Sequence, residues 1–197
     1  MVFDPVYGFV FAGLFSPGPN VIMLTASGAR FGFRATIPHV LGVAVGVGVT
    51  SGVTGLGLGA VLVSQPGLTF GLKLAAAGWI VWMAWQLFAS VHAPQAKRPD
   101  RPFGFWQAVV FQWINPKVWA IAVAATAGFP SGLSPIPEAA RLAGIFSSLN
   151  LGVCLFWSFS GSLLVYLLKT PRAWGRFTTA MACFLALSAA MVFITPS

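Results

Sequence analysis

Charge is scarce in this sequence. Only three of the 197 residues are acidic and 11 are Lys or Arg, so 7% of the chain is charged, whereas soluble domains carry roughly a quarter. Hydrophobic residues make up 57% of the chain, and the mean hydropathy is +0.85. A water-soluble fold of this length has too little interior to bury so much apolar surface. The composition therefore predicts an all-α integral membrane protein, because helices satisfy their own backbone hydrogen bonds in lipid.

Metal-binding and nucleophilic side chains are also few. The chain has two cysteines, Cys154 and Cys183, and neither has a histidine or a second cysteine at metal-ligand spacing. The three acidic residues stand at the edges of the apolar runs and not within them. We therefore expect no metal site, no cofactor and no enzymatic activity.

Long apolar runs divide the chain into six predicted membrane spans. A helix needs about 20 apolar residues to cross a bilayer, and Lys117 is the only charge deep within any run. The predicted spans cover residues 6–28, 38–62, 69–90, 103–127, 142–168 and 174–195. They form two three-helix repeats, residues 1–92 and 103–197, within one membrane domain. A basic cytoplasmic linker, residues 93–102, joins the repeats.

The distribution of basic residues predicts the orientation. With the amino terminus outside, only Lys73 and Arg141 flank the outer ends, together with Asp4 and Glu138. The inner flanks then hold Arg30, Arg34, Lys97, Arg98, Arg101, Lys169, Arg172 and Arg176. By the positive-inside rule both termini lie outside. Because the basic residues adjoin spans and are not interleaved with exposed aromatics, we expect lipid and not nucleic acid as the partner. A second copy of the chain, in a homo-oligomer, is a further candidate partner.

Matching prolines relate the two halves. A shift of 97 residues places Pro5 on Pro102 and Pro19 on Pro116. Since each half has three spans, the second half enters the membrane in the opposite sense. The pattern predicts an inverted repeat whose first and fourth helices are broken at proline, and such paired interruptions are the best sequence pointer to a transporter's binding site.

The two predicted breaks expose backbone groups in the middle of apolar helices. Pro17 and Pro19 remove the hydrogen bonds to the carbonyls of Gly13 and Phe15, and Pro116 removes the one to Gln112. The first break comprises Phe15, Ser16, Pro17, Gly18, Pro19 and Asn20, and the second comprises Gln112, Asn115, Pro116 and Lys117. Freed groups are tolerated at this depth only where they line a cavity or meet other protein.

The chemistry of such a cavity suits a zwitterion. Each restarted helix turns its positive amino end toward the break and attracts a carboxylate, and Lys117 adds a cation. The freed carbonyls of Phe15 and Gln112, with Asn20 and Asn115, are the expected acceptors for an ammonium group. Alternatively, the prolines are simple packing kinks and Lys117 extends to the inner surface.

The second span adds two further candidates. Gly42 and Gly46 have the spacing of small residues that let helices pack closely, here against the first span or a second copy of the chain. His39 lies near the inner end of this span. We expect it to be a polar interface residue, with proton carriage as the alternative.

These features together resemble the LysE/RhtB family of amino-acid exporters. The resemblance covers nearly the whole chain by length and span order, and it is specific in the first and fourth spans. It rests on Ser16-Pro17-Gly18-Pro19-Asn20, Gly32-Phe33-Arg34, Leu41-Gly42 with Gly46, Gly78-Trp79, and Asn115-Pro116-Lys117.

The resemblance implies a multi-pass protein of the bacterial inner membrane. Its implied function is secondary transport that exports amino acids or related small zwitterionic metabolites, driven by the proton motive force. Many family members have a polar or acidic residue where this chain has Val47, and no span contains a carboxylate. The candidates for proton coupling are therefore Asp4, His39, Lys117 and the substrate itself.

Three other functions are weaker alternatives. A metal-cation exporter needs carboxylates or thiolates at the pocket, and the breaks contain none. A membrane thiol–disulfide carrier needs cysteines at the breaks, where this chain has Ser16, Gly18 and Asn115. A structural membrane protein has no need of two matched breaks.

Overall fold

Helices account for the regular structure of the described chain. The computed structural model describes residues 4–16, 18–58, 64–92, 101–129, 131–164, 166 and 170–194. The helices are α1 (Pro5–Phe15), α2 (Pro19–Phe31), α3 (Phe33–Val53), α4 (Pro66–His92), α5 (Phe105–Ile114), α6 (Pro116–Gly128), α7 (Pro135–Leu164) and α8 (Pro171–Ile194). Strands are absent from these ranges, and the all-helical prediction is confirmed. Pro17, residues 93–100 of the linker, and Lys169 lie outside the described residues.

Apolar helices of membrane-crossing length occur at the predicted places. Within the described ranges, Phe33–Gly57 and Pro135–Leu164 are each long and apolar enough to cross a bilayer. The pairs α1–α2 and α5–α6 pass the same test as broken spans, bent by 58° and 62°. The predicted spans 69–90 and 174–195 coincide with α4 and α8, whose passage through a membrane stays a prediction.

Proline begins most of the helices. A proline in the first turn costs no hydrogen bond there and has a φ angle already suited to a helix. Six helices therefore start at Pro5, Pro19, Pro66, Pro116, Pro135 and Pro171. Between α2 and α3 the chain turns at Gly32, whose φ of 85° favours glycine over residues with a side chain.

The second predicted span starts later than the observed helix and contains a turn that was not predicted, and its last residues, 59–62, lie outside the described residues. It was expected over 38–62, but α3 starts at Phe33 and widens into a π-helical turn at Thr54–Leu58. Gly57 in this turn has a φ of 100°, which a glycine adopts without strain. The periodicity of apolar residues does not reveal a π turn, because the turn changes the hydrogen-bond register and not the composition.

Helix α7 is the centre of the packing. It lies against α3, α2 and α1, while α3 also packs on α5 and α4 pairs with α8. The main apolar cluster contains Val10, Val43 and Phe146, and a second cluster joins Ile80 of α4 to Leu185 of α8. This arrangement packs α1 and α2, and with them the first helix break, against α7, while α3 contacts both α7 and α5.

Glycines allow α2 and α7 to touch through their backbones. A Cβ atom added at Gly28 would overlap the carbonyl oxygen of Ser158, and one added at Gly161 would overlap the carbonyl oxygen of Thr25. Small residues at such crossings are typical of helices that pack in lipid. The contact fixes the position of α2, and hence of the first break, against α7.

Candidate binding site at the helix breaks

The first break leaves the amino end of α2 open. α1 ends at Phe15, and the Ser16 hydroxyl donates to the carbonyl of Gly13 at 2.8 Å, so one freed acceptor is satisfied locally. Gly18 precedes α2 with extended backbone and gives the helix no side-chain cap. The uncapped end of α2 therefore presents backbone N–H groups and a partial positive charge.

The second break is closed by its own residues. The Asn115 side-chain oxygen accepts from the backbone N–H of Lys117 at 3.2 Å and so caps α6. The carbonyl of Gln112, which Pro116 deprives of its helical partner, accepts instead from the backbone N–H of Asn115 at 3.3 Å. Of the two helices that restart, α2 is thus the one with a free amino end.

A pair of side-chain amides joins the two breaks across the molecule. Asn20 Nδ2 donates to Gln112 Oε1 at 2.8 Å, and Gln112 Nε2 donates to Asn20 Oδ1 at 3.2 Å. Asn115 Nδ2 also donates to Gln112 Oε1, at 3.2 Å. Gln112 and Asn115 are both buried. The structure thus brings together residues from both breaks, 92 positions apart in the chain.

Lys117 crosses from the second break to the first. Its side chain is half-buried, and its Nζ donates to the backbone carbonyl of Ser16. A Cβ atom at Gly18 would stand 2.9 Å from Lys117 Cδ, so the lysine stem lies directly over this glycine. The lysine side chain therefore points toward the first break. The alternative prediction was that it extends to the inner surface of the membrane.

Three of the four acceptors expected for a substrate ammonium are engaged within the protein, and the carbonyl of Phe15 is the fourth. The Gln112 carbonyl and the side-chain oxygens of Asn20 and Asn115 all accept hydrogen bonds from neighbouring protein groups. The reason is that polar groups of the two breaks hydrogen-bond to one another. The sequence of either break alone does not reveal this pairing.

A narrow cleft opens beside the joined breaks. About 350 Å³ of empty space lies within and in front of it, and only about 10 Å³ of that admits the centre of a water-sized sphere. Its wall combines residues of α1, both breaks, α2, α6 and α7. They are Leu14, Gly18, Asn20, Val21, Leu24, Asn115, Lys117, Val118, Asn150, Val153, Cys154 and Trp157.

The α7 side of the cleft was missed by the sequence analysis. Asn150, Cys154 and Trp157 line it, at intervals of four and three residues that place them on one face of the helix. Asn150 is buried, and an amide side chain inside the predicted fifth span was a usable signal. Its orientation toward the cleft depends on the rotation of α7, which periodicity did not fix.

Two of the three coupling candidates lie away from the cleft. Asp4 caps α1 by accepting from the backbone N–H of Val6 at 3.0 Å, and it pairs with Arg141 at 2.9 Å. The hydrogen bond from Arg141 lowers the pKa of the Asp4 carboxyl below its ordinary value. His39 is buried, and its ring centroid lies 5.3 Å from that of Phe103.

Gly42 and Gly46 lie at a close helix crossing, but their neighbour is α5. A Cβ at Gly42 would overlap the carbonyl oxygen of Phe105, and one at Gly46 would stand 2.7 Å from Gln112 Cγ. The first span was one of the two partners expected for these glycines. Because Gly46 leaves room for Gln112, it also supports the amide pair that joins the breaks.

Comparison with known proteins identifies the family. Residues 11–196 match the family model described as LysE type translocator. The chain belongs to this family. The resemblance predicted from the sequence is thus confirmed, and the apolar helices agree with a multi-pass membrane protein.

The translocator is similar to curated efflux proteins. It is 26% identical over 183 residues to the cysteine/O-acetylserine efflux protein of Escherichia coli O1:K1 / APEC, and the match covers 90% of each chain. It is 26% identical over 129 residues to the protein of the same name from Salmonella typhi, where the match covers 66% of each chain and so slightly less than two thirds of that relative. No solved structure matches the translocator.

Proposed function

We propose that this translocator exports small amino acids or related zwitterionic metabolites across the bacterial inner membrane. The observation that carries the proposal is the pairing of the two helix breaks through Asn20 and Gln112, beside a cleft that Lys117 enters. A charged residue at this depth is expensive and is by default functional. The uncapped end of α2 and the Lys117 ammonium together suit the carboxylate that all amino acids carry.

The small size of the cleft favours a substrate with a short side chain. The lining of the cleft includes the apolar side chains of Leu14, Val21 and Leu24, and the space inside is narrow. The relatives from E. coli and Salmonella are named for efflux of cysteine and O-acetylserine, both of them short amino acids. We propose substrates of this class for the present chain.

The proposed architecture is a six-span inverted repeat with both termini outside. Its support is the match between the halves: α2 and α6 each have 13 residues, each starts at proline, and the bends are 58° and 62°. The packing is also reciprocal, because α1 contacts α7 as α5 contacts α3. The orientation rests on the positive-inside bias of the sequence, and a reporter fused to the carboxyl terminus that is active only outside tests it.

Coupling to the proton motive force is part of the proposal. Of the carriers considered, Asp4 is the least suited, because a carboxyl whose pKa is lowered by an arginine stays ionised at neutral pH. His39 is buried away from the cleft, whereas Lys117 lies within it. We propose that Lys117 or the substrate itself changes protonation during the cycle.

The role of Lys117 is tested by removing its charge while keeping its length. In everted vesicles from a bacterium lacking its own exporters, we expect Lys117→Met to lower amino-acid uptake at least ten-fold, because the carboxylate loses its cation. The matched control is Arg172→Gln, which removes an exposed basic residue at the start of α8. Membrane levels of each variant are measured by immunoblotting.

Two results would contradict the proposal. Uptake by Lys117→Met equal to that of the natural protein would show that the lysine has no part in binding or coupling. Failure of the natural protein, correctly inserted, to transport any short amino acid would remove the proposed substrate class altogether.

A further inference from the structure

One face of α7 supplies hydrogen-bond donors for which the described residues offer no acceptor. Asn150 is 2% exposed, and its Nδ2 has no partner among the described residues. The indole Nε1 of Trp157, seven residues later, is also buried and without an acceptor in the part of the chain that the structure describes. Both residues line the cleft. A buried donor without an acceptor is destabilising, so such groups call for an explanation at each occurrence.

The surroundings of Trp157 hold its ring in one position. Its centroid lies 5.3 Å from the ring of Phe15, and Phe156 meets it edge-on at 5.5 Å. Phe15 is the last residue of α1, directly before the first break. The indole N–H is therefore a pre-positioned donor next to the break, and preorganisation is what makes a polar group in a pocket selective.

The two donor groups in the cleft differ in charge. On the side of the breaks, Lys117 and the uncapped amino end of α2 provide positive charge. On the α7 side, the Asn150 amide and the Trp157 indole are neutral donors. A carboxylate gains more from the charged side, because opposite charges there add a Coulombic attraction to the hydrogen bonds. The neutral side is left for a neutral acceptor.

We propose that Asn150 and Trp157 form a specificity subsite that binds a carbonyl oxygen on the side chain of the substrate. This inference rests on the proposed function and deepens it: the exported amino acids are short ones whose side chain carries an ester or amide carbonyl. Val153 and Leu24 bound the same space with apolar surface. An amino acid of the same length without the carbonyl leaves both donors unpaired, and a site built to hydrogen-bond its substrate rejects such an analogue.

The test compares two substrates that differ in one carbonyl group. O-acetylserine has a side-chain ester carbonyl, and O-ethylserine has the same chain length without it. Uptake of each into everted vesicles is measured for the natural protein, for Asn150→Ala and for Trp157→Phe. Trp157→Phe keeps an aromatic ring but removes the N–H donor together with part of the indole, and Trp106→Phe, the same exchange at a residue that is 75% exposed on α5, is the matched control.

We expect the natural protein and Trp106→Phe to prefer O-acetylserine. Each subsite variant should reduce the uptake ratio of O-acetylserine to O-ethylserine by about three- to ten-fold, the contribution of one hydrogen bond. Uptake of O-ethylserine should change little, because that substrate makes no bond to the donors.

Several outcomes would overturn the subsite. A natural protein that takes up both compounds equally well removes the subsite and leaves amino-acid export intact. Variants that lose both substrates in equal proportion, or keep the natural ratio, assign the two residues to packing. A natural protein that transports no amino acid overturns the proposed function and the subsite with it.

Discussion

Gln112 shows how a single side chain can organise a site through hydrogen bonds within the protein. It is fully buried, exchanges hydrogen bonds with Asn20, and accepts from Asn115. Its Nε2 also donates to the backbone carbonyl of Ala108 at 2.9 Å. With donor and acceptor both used, the amide has one satisfied orientation, and a fully satisfied buried network fixes its members in place. Gln112 therefore sets the relative position of the two breaks.

Asp4 is a residue whose environment argues against a role in proton transfer. The bond from Arg141 lowers the pKa of its carboxyl, so the group is ionised throughout the physiological range. The ion pair is fully present above the ordinary carboxyl pKa of about 4 and is lost only as the pH falls through the lower pKa of the folded state.

We accordingly expect Asp4→Asn to leave the pH profile of export between about pH 6 and 8 unchanged, because the carboxyl it replaces does not titrate there. Asparagine also caps a helix as well as aspartate does, so α1 should remain intact. Initial uptake rates into everted vesicles across this pH range provide the measurement. A displaced profile would instead identify Asp4 as a proton carrier.

At the scale of helices, the sequence predicted where the helices are interrupted better than which residues of other helices the interruptions contact. Both observed breaks occur where Pro19 and Pro116 were expected to restart a helix, since the effect of proline is local. The pairing of Asn20 with Gln112 and the approach of Asn150 depend on how distant helices rotate and pack. An apolar helix in lipid has no polar face to reveal that rotation, so these contacts required the structure.

The crossing of α2 and α7 gives a prediction at this scale. A Cβ at Gly161 would overlap the backbone carbonyl of Thr25, whereas one at Gly152, on the same helix, meets no atom within 4 Å. A backbone carbonyl cannot move aside cheaply. We expect Gly161→Ala to lower the free energy of unfolding by about 1–3 kcal/mol, the usual range for overpacking.

Gly152→Ala is the control for that variant. It should be neutral or slightly stabilising, because alanine favours a helix over glycine by up to about 1 kcal/mol. Thermal unfolding of the purified proteins in detergent compares the two. Equal melting temperatures would mean that the helices do not touch at Gly161.

On the scale of the whole molecule, ion pairs tie one end of the structure together. Arg141 bridges Asp4, at the start of α1, and Glu138, in the first turn of α7, at 2.9 and 3.0 Å. The sequence predicts Asp4 at the outer flank of one span, and Glu138 and Arg141 at the outer flank of another. The structure places the three side chains next to each other. Their proximity means that α1 and α7 begin at the same end of the molecule, as a topology with three spans per half requires.

The central claim is that the two halves meet through their helix breaks. Its most direct test places cysteines at Asn20 and Gln112 in a Cys154→Ser, Cys183→Ser background, with a protease site inserted between residues 93 and 100. A short bifunctional methanethiosulfonate reagent is applied to membranes, the chain is cleaved, and the two halves are separated on a denaturing gel. Asn20→Cys with Gln107→Cys, exposed one turn earlier on α5, is the control pair.

We predict that the reagent holds the halves together for the Asn20–Gln112 pair and not for the control, because the natural side chains at these positions are in direct hydrogen-bond contact. Halves that separate freely in both cases, with each cysteine shown to react, would contradict the account.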